Sequence, residues 1–549
     1  MLSAVGRPMS QSPFADLQAR ARDLPALRTL LENPERLRAL HGEGAGIHAD
    51  FSRQRVRLED RDALLRFAEA RGLFAARDQL FQANELNATE QRAVLHTALR
   101  RPEAAPPLWL RGENISGAIG AALARMADLA AAIRSGRWRG ATGASITDVL
   151  HIGIGGSYLG PALAYEALGP RTGPAVHFLA NVDGAAAQAV LSRLDPTRTL
   201  LIVASKSFNT LETLVNAQTV RRWFLARGLS EGQLKHHCLA VTTNHSAAAA
   251  FGIPPEQCLP LWDWVGGRFS LWSPIGLPVA LSHGMDVFQA LLGGAFAMDE
   301  HFQQAAPEHN LPVLLALFEY WNQEVLGTQS HAFLPYAEAL SQLPAYLQQL
   351  EMESNGKSTT VAGAPVEGST GTILWGTVGT NGQHATHQLL HQGTQPFSAT
   401  FVLARRGAPG LEDHHRWLRA HCIAQAEAFA RGLTTEEAAH ALLAKGVAPE
   451  EAARLAPHKR LPGNHPSSLL IVDQVNAQSL GALLALHEHK VFCHGMLWGI
   501  NSFDQWGVEF GKVLGDTLYA AQGETAPVET LSLSARASLT AAGGASKAR

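Results

Sequence analysis

Three residues that could exchange protons with a bound molecule lie in widely separated segments of this 549-residue chain. Glu353 stands in MESNGKST, just before an Asn-Gly pair typical of a helix end, His384 stands in GTNGQHATHQLL, and Lys512 ends SFDQWGVEFGK. Carboxylate, imidazole and ammonium groups are common general acids and bases. Only eight of the 45 lysines and arginines are lysine, so a lysine in a Gly- or Ser-containing loop indicates a need for a compact ammonium group.

The segment HIGIGGSYLGP reads as a short strand, a glycine turn and the start of a helix. Such a turn directs the N–H groups of Gly155 and Gly156 at an anion, with Ser157 as a side-chain donor. The pattern is not a dinucleotide fingerprint, because Tyr158 stands where the third glycine of G-x-G-x-x-G belongs. It is not a P-loop either, because no Gly-Lys-Ser/Thr follows. The segment predicts a site for a smaller anion, with an ordinary strand–helix turn as the alternative.

The segment SKSFNTLET also follows an apolar run and precedes a helical pattern. Five of its first six residues carry polar side chains: Ser205, Lys206, Ser207, Asn209 and Thr210. Hydroxyl and backbone N–H donors suit a phosphate monoester, whose oxygens accept hydrogen bonds from every direction. A helix N-cap is the alternative, but one cap needs only one such residue, so the excess favours a ligand.

Two further segments could complete a site. In GGRFSLWSPIGLP, Gly267 permits a close backbone approach and Arg268 offers a fixed positive charge, although a single arginine is more often a structural ion pair. Gln505 and Lys512 are seven residues apart, a spacing that places both on one face of a helix. The alternative for this segment is an amphipathic helix with a solvated lysine. The alternative for Glu353 is a solvated carboxylate at a helix end.

Three histidines raise the question of a metal site. We expect His384 in the first turn of a helix, and His387 and His391 follow at spacings that put all three on one helical face. They span about two turns, roughly 10 Å, so one ion would not easily bridge the outer pair. We therefore predict packing or hydrogen-bonding roles for His387 and His391, and no metal.

The segments that carry these groups alternate with helical patterns. Predicted strands are Asp148–Ile154, Thr199–Ala204, Leu239–Thr243, His331–Tyr336, Ser398–Leu403 and Ser468–Val472. Strand–helix alternation predicts an α/β fold with mainly parallel sheets covered by helices on both faces. The first 110 residues read as helical, and the length of the chain favours two domains.

Composition narrows the class of partner. The formal net charge is −3 and no run of Lys or Arg appears, which argues against nucleic acid or an anionic membrane. The four cysteines form no C-x-x-C pair, and no secretory signal or bilayer-length apolar stretch is visible. These features predict a cytoplasmic protein with a small-molecule substrate.

The six segments, in this order and spacing, resemble the phosphoglucose isomerase family, and GGRFSLWSPIGLP and GVEFGK are the most specific of them. The resemblance implies two sugar-isomerase (SIS-type) α/β domains and a homodimer. It places a small domain at 111–281 and a large domain at 282–515, with a helical extension at 1–110 packed on the large domain and a tail with a flexible end at 516–549.

The resemblance also implies residue roles in interconverting glucose 6-phosphate and fructose 6-phosphate through a cis-enediol. Glu353 would be the base that moves a proton between C1 and C2, and Arg268 would stabilise the enediolate. His384, supplied by the neighbouring subunit and oriented by Glu212, would open the sugar ring with Lys512.

Phosphate binding is assigned by the same resemblance. The binding residues would be Ser157, Ser205, Lys206 through its backbone, Ser207 and Thr210, with Gln505 lining the site and Gly155, Gly156 and Gly267 in support. Moving a carbonyl by proton transfer needs no redox group, so no cofactor is expected. Two alternatives stay open: a non-catalytic sugar-phosphate sensor on the same fold, and a metal-dependent isomerase, which EDTA would inhibit.

Overall fold

The computed structural model describes residues 13–522 and 531–543. The chain divides into two compact units, Met1–Ser502 and Phe503–Arg549. The larger unit contains every sheet of the described residues, and the smaller unit is helical. The four cysteines lie in the larger unit and are buried and free.

The first segment of the larger unit combines short helices with a hairpin. Its elements are α1 (Pro13–Ala21), α2 (Leu27–Leu30), α3 (Pro34–Ala39), β1 (His41–Gly44), β2 (Ile47–Asp50), α4 (Leu58–Ala70) and α5 (Leu73–Leu80). The helices agree with the helical patterns, but the sequence analysis did not predict the hairpin. HGEG and IHAD have little intrinsic strand preference, so their pairing with the rest of the fold decides their conformation.

A five-stranded sheet follows, and all of its strands are parallel. Every residue of TLLIVA, its central strand, is buried, as expected of a parallel sheet covered on both faces. The elements are β3 (Trp109–Leu110), β4 (Glu113–Asn114), α6 (Ile115–Arg134), β5 (Asp148–Ile152), α7 (Leu159–Ala167), β6 (Ala175–Leu179), α8 (Gly184–Leu191), β7 (Thr199–Ala204), α9 (Leu211–Ala226), β8 (Cys238–Thr242), α10 (His245–Phe251) and β9 (Cys258–Pro260). The strand order is β6-β5-β7-β8-β9, with β3 and β4 forming a separate hairpin.

A second, six-stranded sheet occupies the rest of the larger unit. Its elements are α11 (Leu277–Ser282), α12 (Met285–Gln304), α13 (Leu311–Tyr320), β10 (Ser330–Tyr336), α14 (Leu343–Gln348), β11 (Ile373–Gly376), α15 (His387–Gln392), β12 (Phe397–Ala404), α16 (Glu412–Arg431), α17 (Thr435–Ala444), α18 (Pro449–Lys459), β13 (Ser467–Val472) and α19 (Ala477–Trp498). The order is β1-β2-β13-β12-β10-β11, parallel except at the hairpin, where β2 pairs antiparallel with β13. The N-terminal segment thus completes this sheet. The predicted α/β fold with two mainly parallel sheets is confirmed.

Both sheets reverse their strand order at their first parallel strand. In the first sheet β5 lies between β6 and β7, and in the second β10 lies between β11 and β12. Connections from such neighbours depart to opposite faces, which opens a crevice at the carboxyl ends of the strands where α/β proteins bind ligands. The segments that follow β5 and β7 are those singled out above as anion sites.

The smaller unit contains a 3₁₀ turn at Trp506–Val508, helix α20 (Glu509–Gln522) and helix α21 (Leu533–Ala541). The tail predicted at 516–549 therefore includes ordered helix, and the flexible end predicted there falls largely at 523–530 and 544–549, outside the described residues. Among the described residues, α6 is the one helix long and apolar enough to cross a membrane, which is weak evidence because core helices of globular proteins meet the same criteria.

Candidate active site

The two predicted anion loops leave the same edge of the first sheet. β5 and β7 are parallel neighbours, with His151 opposite Ile202, so their carboxyl ends meet side by side. After β5 the chain makes a 3₁₀ turn at Gly155–Ser157 and enters α7, and after β7 it passes through the Ser205–Thr210 loop into α9. The sheet therefore brings Ser157 and the second loop to one crevice.

The hydroxyl groups of the Ser205–Thr210 loop bond within the loop, and Thr210 does not cap the helix that follows. Thr210 is the N-cap residue of α9, yet its side chain makes no cap hydrogen bond. Its Oγ1 instead lies 3.1 Å from Ser205 Oγ, and the exposed Ser207 hydroxyl bonds the side chain of Asn209. The N-cap alternative is thus not what the geometry shows. The first N–H groups of α9 and a pair of hydroxyls are left for an anion.

One residue of this loop adopts an unfavourable backbone conformation. Phe208 has a φ of +52°, and its buried ring stacks edge-on against Phe251 at 6.0 Å between centroids. A bulky residue with positive φ costs about 1–2 kcal/mol, and such strain concentrates at functional sites. The packed ring holds the loop in this shape, which turns Ser207 and Asn209 outward.

Lys206 links this loop to the segment that carries Arg268. Its Nζ donates hydrogen bonds to the carbonyl oxygens of Asp263 and Val265, at 2.9 and 3.1 Å. Burial and the nearby Arg92 guanidinium lower the pKa of Lys206 to about 8. The scarce lysine in a Ser-rich loop is therefore a compact donor to backbone oxygens, as its rarity suggested.

The glycine turn after β5 packs directly on GGRF. A Cβ on Gly156 would lie 2.6 Å from the backbone N of Arg268 and closer still to the Gly267 carbonyl, so only glycine fits. Ser270 Oγ donates to the Gly267 carbonyl at 2.6 Å and lies 3.4 Å from the Gly156 carbonyl. The neighbouring Gly155 has a φ of +57°, a region that glycine adopts without strain.

His151, the fourth residue of β5, supports the same turn. Its ring is buried, and Nε2 donates to the Ser157 carbonyl across 2.7 Å. Burial lowers the pKa of His151 to about 4. The ring is thus a neutral donor that fixes Ser157, and the sequence analysis did not assign it this role.

Arg268 and Glu353 meet in the crevice. The Arg268 guanidinium is buried, its Nη1 lies 3.6 Å from Glu353 Oε1, and its Nε donates to Ser354 Oγ at 2.6 Å. A third contact, from Nη2 to the Ser502 carbonyl at 2.6 Å, completes the fixed orientation of the charge. Glu353 keeps 23% of its side-chain surface exposed, so its carboxylate can reach a bound molecule.

The backbone around Glu353 departs from an ordinary helix. Helix α14 continues into a π-helical turn at Gln349–Glu353, a rare conformation that is frequent at functional sites. Lys357 caps its end by donating to the carbonyl oxygens of Glu353 and Ser354, at 3.1 and 2.7 Å. No role was predicted for Ser354 or Lys357 from the sequence, although the rarity of lysine in this chain could have drawn attention to Lys357.

The histidine segment differs from its prediction. His384 is exposed and ends a 3₁₀ turn at Asn381–His384, whereas α15 begins only at His387. The prediction that the three histidines share one helix face is therefore wrong, because the turn and the helix are separate elements. His387 and His391 pack against the Phe429 ring, 5.5 and 4.9 Å between centroids, which confirms their packing role.

The other predicted site residues belong to separate elements. Glu212 is half-buried in the first turn of α9. Gln505 and Lys512 belong to the smaller unit, where Gln505 precedes the 3₁₀ turn at Trp506–Val508 and the exposed Lys512 lies in α20. Gln505 and Lys512 thus do not share one helix, contrary to the prediction from their spacing.

Among the described residues, one cluster has the composition of a metal site. Ligand atoms of Glu319, Glu351 and His494 lie within 4.8 Å of one another, all buried. The Lys490 ammonium is already among them, 2.6 Å from Glu319 and 3.2 Å from Glu351. A bound cation would face that ammonium at close range, so the donor set fits an ionic network better than a metal.

The fold defines an α/β protein with two SIS-type, mainly parallel sheets, and the Arg268–Glu353 pair lies next to the glycine turn that follows β5. The family model described as "Phosphoglucose isomerase" matches residues 50–538. The chain belongs to the phosphoglucose isomerase family, and the resemblance found in the sequence is confirmed.

Relatives of known name agree over almost the whole length. A glucose-6-phosphate isomerase from Pseudomonas aeruginosa (strain LESB58) is 48% identical over 514 residues, 93% of each chain. One from Stutzerimonas stutzeri (strain A1501) is 48% identical over 504 residues, 91% of each chain. The crystal structure of a glucose-6-phosphate isomerase from Chlamydia trachomatis D/UW-3/Cx superposes with a TM-score of 0.83 at 31% identity, covering 97% of this chain and 98% of that one.

Proposed function

We propose that Glu353 and Arg268, together with the Ser205–Thr210 loop, carry out the activity that family membership gives this chain, the interconversion of glucose 6-phosphate and fructose 6-phosphate. The observation that carries the proposal is the 3.6 Å contact between Arg268 Nη1 and Glu353 Oε1, next to the glycine turn after β5 that packs on the Arg268 backbone. With this spacing, the carboxylate can reach a carbon of the substrate while the guanidinium contacts an oxygen attached to it.

The phosphate end of the substrate binds at the two loops of the first sheet. Ser205 and Thr210 supply the paired hydroxyls, Ser207 and Ser157 add further donors, and the Lys206 backbone adds an N–H. The open N-terminus of α9 favours the phosphate charge. Holding the phosphate here orients the chain of carbons and selects against unphosphorylated sugars.

Glu353 is the base at the other end of the substrate. Its carboxylate takes the proton from C2 of the open-chain aldose and returns it to C1, and the proton of the C2 hydroxyl passes to the C1 oxygen at the cis-enediolate stage. The carbonyl thereby moves from C1 to C2 with no net gain or loss of electrons. Arg268 stabilises the negative oxygen of the cis-enediolate, because its guanidinium is already held in place by Ser354 and Ser502. Preorganised donors of this kind stabilise a charge that appears only during the reaction.

Ring opening is assigned to His384 and Lys512, with Gln505 lining the site and Glu212 orienting His384. These roles follow from the match of motifs to the family. His384 is exposed and stands outside the contacts that join Arg268, Glu353 and the loops. That exposure supports a homodimer in which His384 completes the site of the neighbouring subunit.

The alternative of a non-catalytic sensor is not favoured, because a sensor needs the anion loops but has no use for a buried Arg268 aimed at Glu353. The chemistry above moves only protons and requires no cofactor, and we expect activity to survive EDTA. A cytoplasmic location is also proposed, in keeping with four free buried cysteines.

The decisive experiment compares Glu353→Gln with wild type in a coupled assay of fructose 6-phosphate conversion. Losing the base should lower kcat by at least roughly 100-fold, while a phosphorylated sugar acid still binds. The exposed Glu338→Gln is the matched control and should keep wild-type rates. Near-normal turnover of Glu353→Gln would show that Glu353 is not the base.

A further inference from the structure

A buried ionic network lies directly behind Glu353. The Lys490 ammonium of α19 donates to Glu319 Oε2 at 2.6 Å and lies 3.2 Å from Glu351 Oε2. His494, one turn further along α19, places Nδ1 3.1 Å from Glu351 Oε1 and Nε2 3.1 Å from the Ala316 carbonyl. All four ionisable side chains are at least 96% buried. Such a network tolerates no alternative arrangement without leaving a charge unpaired.

Glu351 is the member of this network that touches the active-site backbone. It lies within the π-helical turn Gln349–Glu353, two residues before the proposed base. Burial alone would raise the pKa of Glu351, but Lys490 and His494 outweigh this effect and hold the pKa below its ordinary range. The carboxylate is therefore charged and anchored to α19, and it fixes the turn that presents Glu353.

A chain of hydrogen bonds continues from Glu351 to Arg268. Asn355 Nδ2 donates to Glu351 Oε1 at 3.1 Å, and Asn355 Oδ1 accepts from Ser502 Oγ at 2.7 Å. The carbonyl of Ser502 in turn accepts from Arg268 Nη2 at 2.6 Å. Glu351 is thus connected to both groups of the proposed reaction, to Glu353 along the backbone and to Arg268 through Asn355 and Ser502.

We propose that Glu351, anchored by Lys490 and His494, is a positioning residue that sets the placement of the Glu353 carboxylate against the Arg268 guanidinium. It touches no substrate and acts through these two residues, so the proposal rests on the roles proposed for them. Moving a reacting group by about 1 Å can cost roughly 100-fold in rate, so an anchor of this kind affects the chemical step.

The test uses a ratio that does not depend on how much protein is folded. Glucose 6-phosphate deuterated at C2 is converted in ordinary water at low conversion, and the fraction of deuterium carried to C1 of fructose 6-phosphate is measured by mass spectrometry. A well-placed base returns the deuteron before it exchanges with water, whereas a displaced base loses it. Destabilisation alone lowers the amount of active protein but leaves this fraction unchanged.

In Glu351→Gln we expect kcat to fall at least roughly tenfold and the transferred fraction at least threefold, with KM within about threefold of wild type because the phosphate loops are untouched. The matched control is Asp299→Asn, which breaks the adjacent buried contacts of Asp299 with Arg100 and His489. It should lower the melting temperature without changing the transferred fraction. A Glu351→Gln variant with the same fraction as this control overturns the positioning role.

Two further variants keep the proposal testable. If Glu351→Gln does not fold, Ser502→Ala is the second variant. It removes the hydroxyl that donates to Asn355 at 2.7 Å and lies 3.5 Å from the Val491 carbonyl, and it keeps the backbone carbonyl that holds Arg268. It should also lower the transferred fraction, and an unchanged fraction there overturns the proposal. Glu353→Gln distinguishes failure of the proposed base from failure of the positioning role. If Glu353→Gln keeps turnover, both proposals are wrong. If Glu353→Gln loses turnover but Glu351→Gln has the same transferred fraction as Asp299→Asn, only the positioning role is wrong.

Discussion

The contact between Gly156 and the Gly267–Arg268 backbone gives the sharpest prediction. Gly156→Ala would place a Cβ 2.6 Å from the Arg268 N, where non-bonded carbon contacts are normally about 3.5 Å or more. The obstructing atoms are backbone, so rotation of a side chain gives no relief. The Gly267 carbonyl is closer still, so the loop after β5 and the GGRF segment must separate by at least about 1 Å.

That displacement has two consequences of different size. Overpacking of this kind destabilises a protein by about 1–3 kcal/mol, which a domain of this size should survive. The same 1 Å shift moves Ser157 relative to Arg268, and misplacement on that scale costs roughly 100-fold in rate. We therefore expect a folded enzyme with kcat/KM reduced about 100-fold.

The assay is the coupled conversion of fructose 6-phosphate, with circular dichroism and thermal denaturation on the same samples. Gly120→Ala, in α6, is the control, because a Cβ there meets nothing within 4 Å. Its activity should equal that of wild type. A folded Gly156→Ala protein with near-wild-type kcat/KM would refute the inference that this contact sets the distance between the loop and Arg268.

Three other predictions follow from the same geometry. Ser205→Ala combined with Thr210→Ala removes two hydroxyls facing a charged phosphate, each worth about 1.5–3 kcal/mol, so KM should rise at least roughly 100-fold; an unchanged KM moves the phosphate elsewhere. Mixing Glu353→Gln with His384→Ala and refolding together should restore about a quarter of wild-type activity if His384 crosses the subunit interface, since half the dimers are mixed and each has one intact site; no recovery contradicts that crossing. His151 has a folded pKa of about 4 and an unfolded pKa of about 6.5, so the unfolded state binds the proton first as pH falls. The contribution of neutral His151 to the free energy of unfolding is therefore complete above pH 6.5 and is lost toward pH 4. Between pH 7 and pH 5 the loss is about 2 kcal/mol. In chemical denaturation curves, His151→Gln should lack this pH-dependent component.

The sequence predicted an element well where its apolar pattern was consistent with only one type of secondary structure. Thr199–Ala204 forms β7 with the predicted bounds. The β1–β2 hairpin was missed because its residues are polar or small, and it exists by pairing with β13. Helix α19 extends to Trp498, and its charged residues resemble surface positions in the sequence although they are buried.

The candidate site divides in the same way. Loop context singled out Ser205 and Thr210 as candidates, because clustered donors are a local signal, whereas the roles of Arg268 and Glu353 were expected from the family resemblance. The spacing argument for His384 and for Gln505 assumed continuous helices and was wrong at both, since 3₁₀ turns interrupt them. Local periodicity does not report where a helix actually begins.

By itself the amino-acid sequence determined which chemical groups are present, the alternation of strands and helices, and the match to an isomerase family. The tertiary structure decided which of those groups meet. Glu353 and Arg268 are 85 residues apart and become neighbours only when a π-helical turn and a 3₁₀ turn pack together. The anchor at Glu351 is a tertiary property for the same reason. Lys490 contacts Glu351, and Ser502 contacts Asn355, from more than 100 residues away, and no local pattern encodes these contacts.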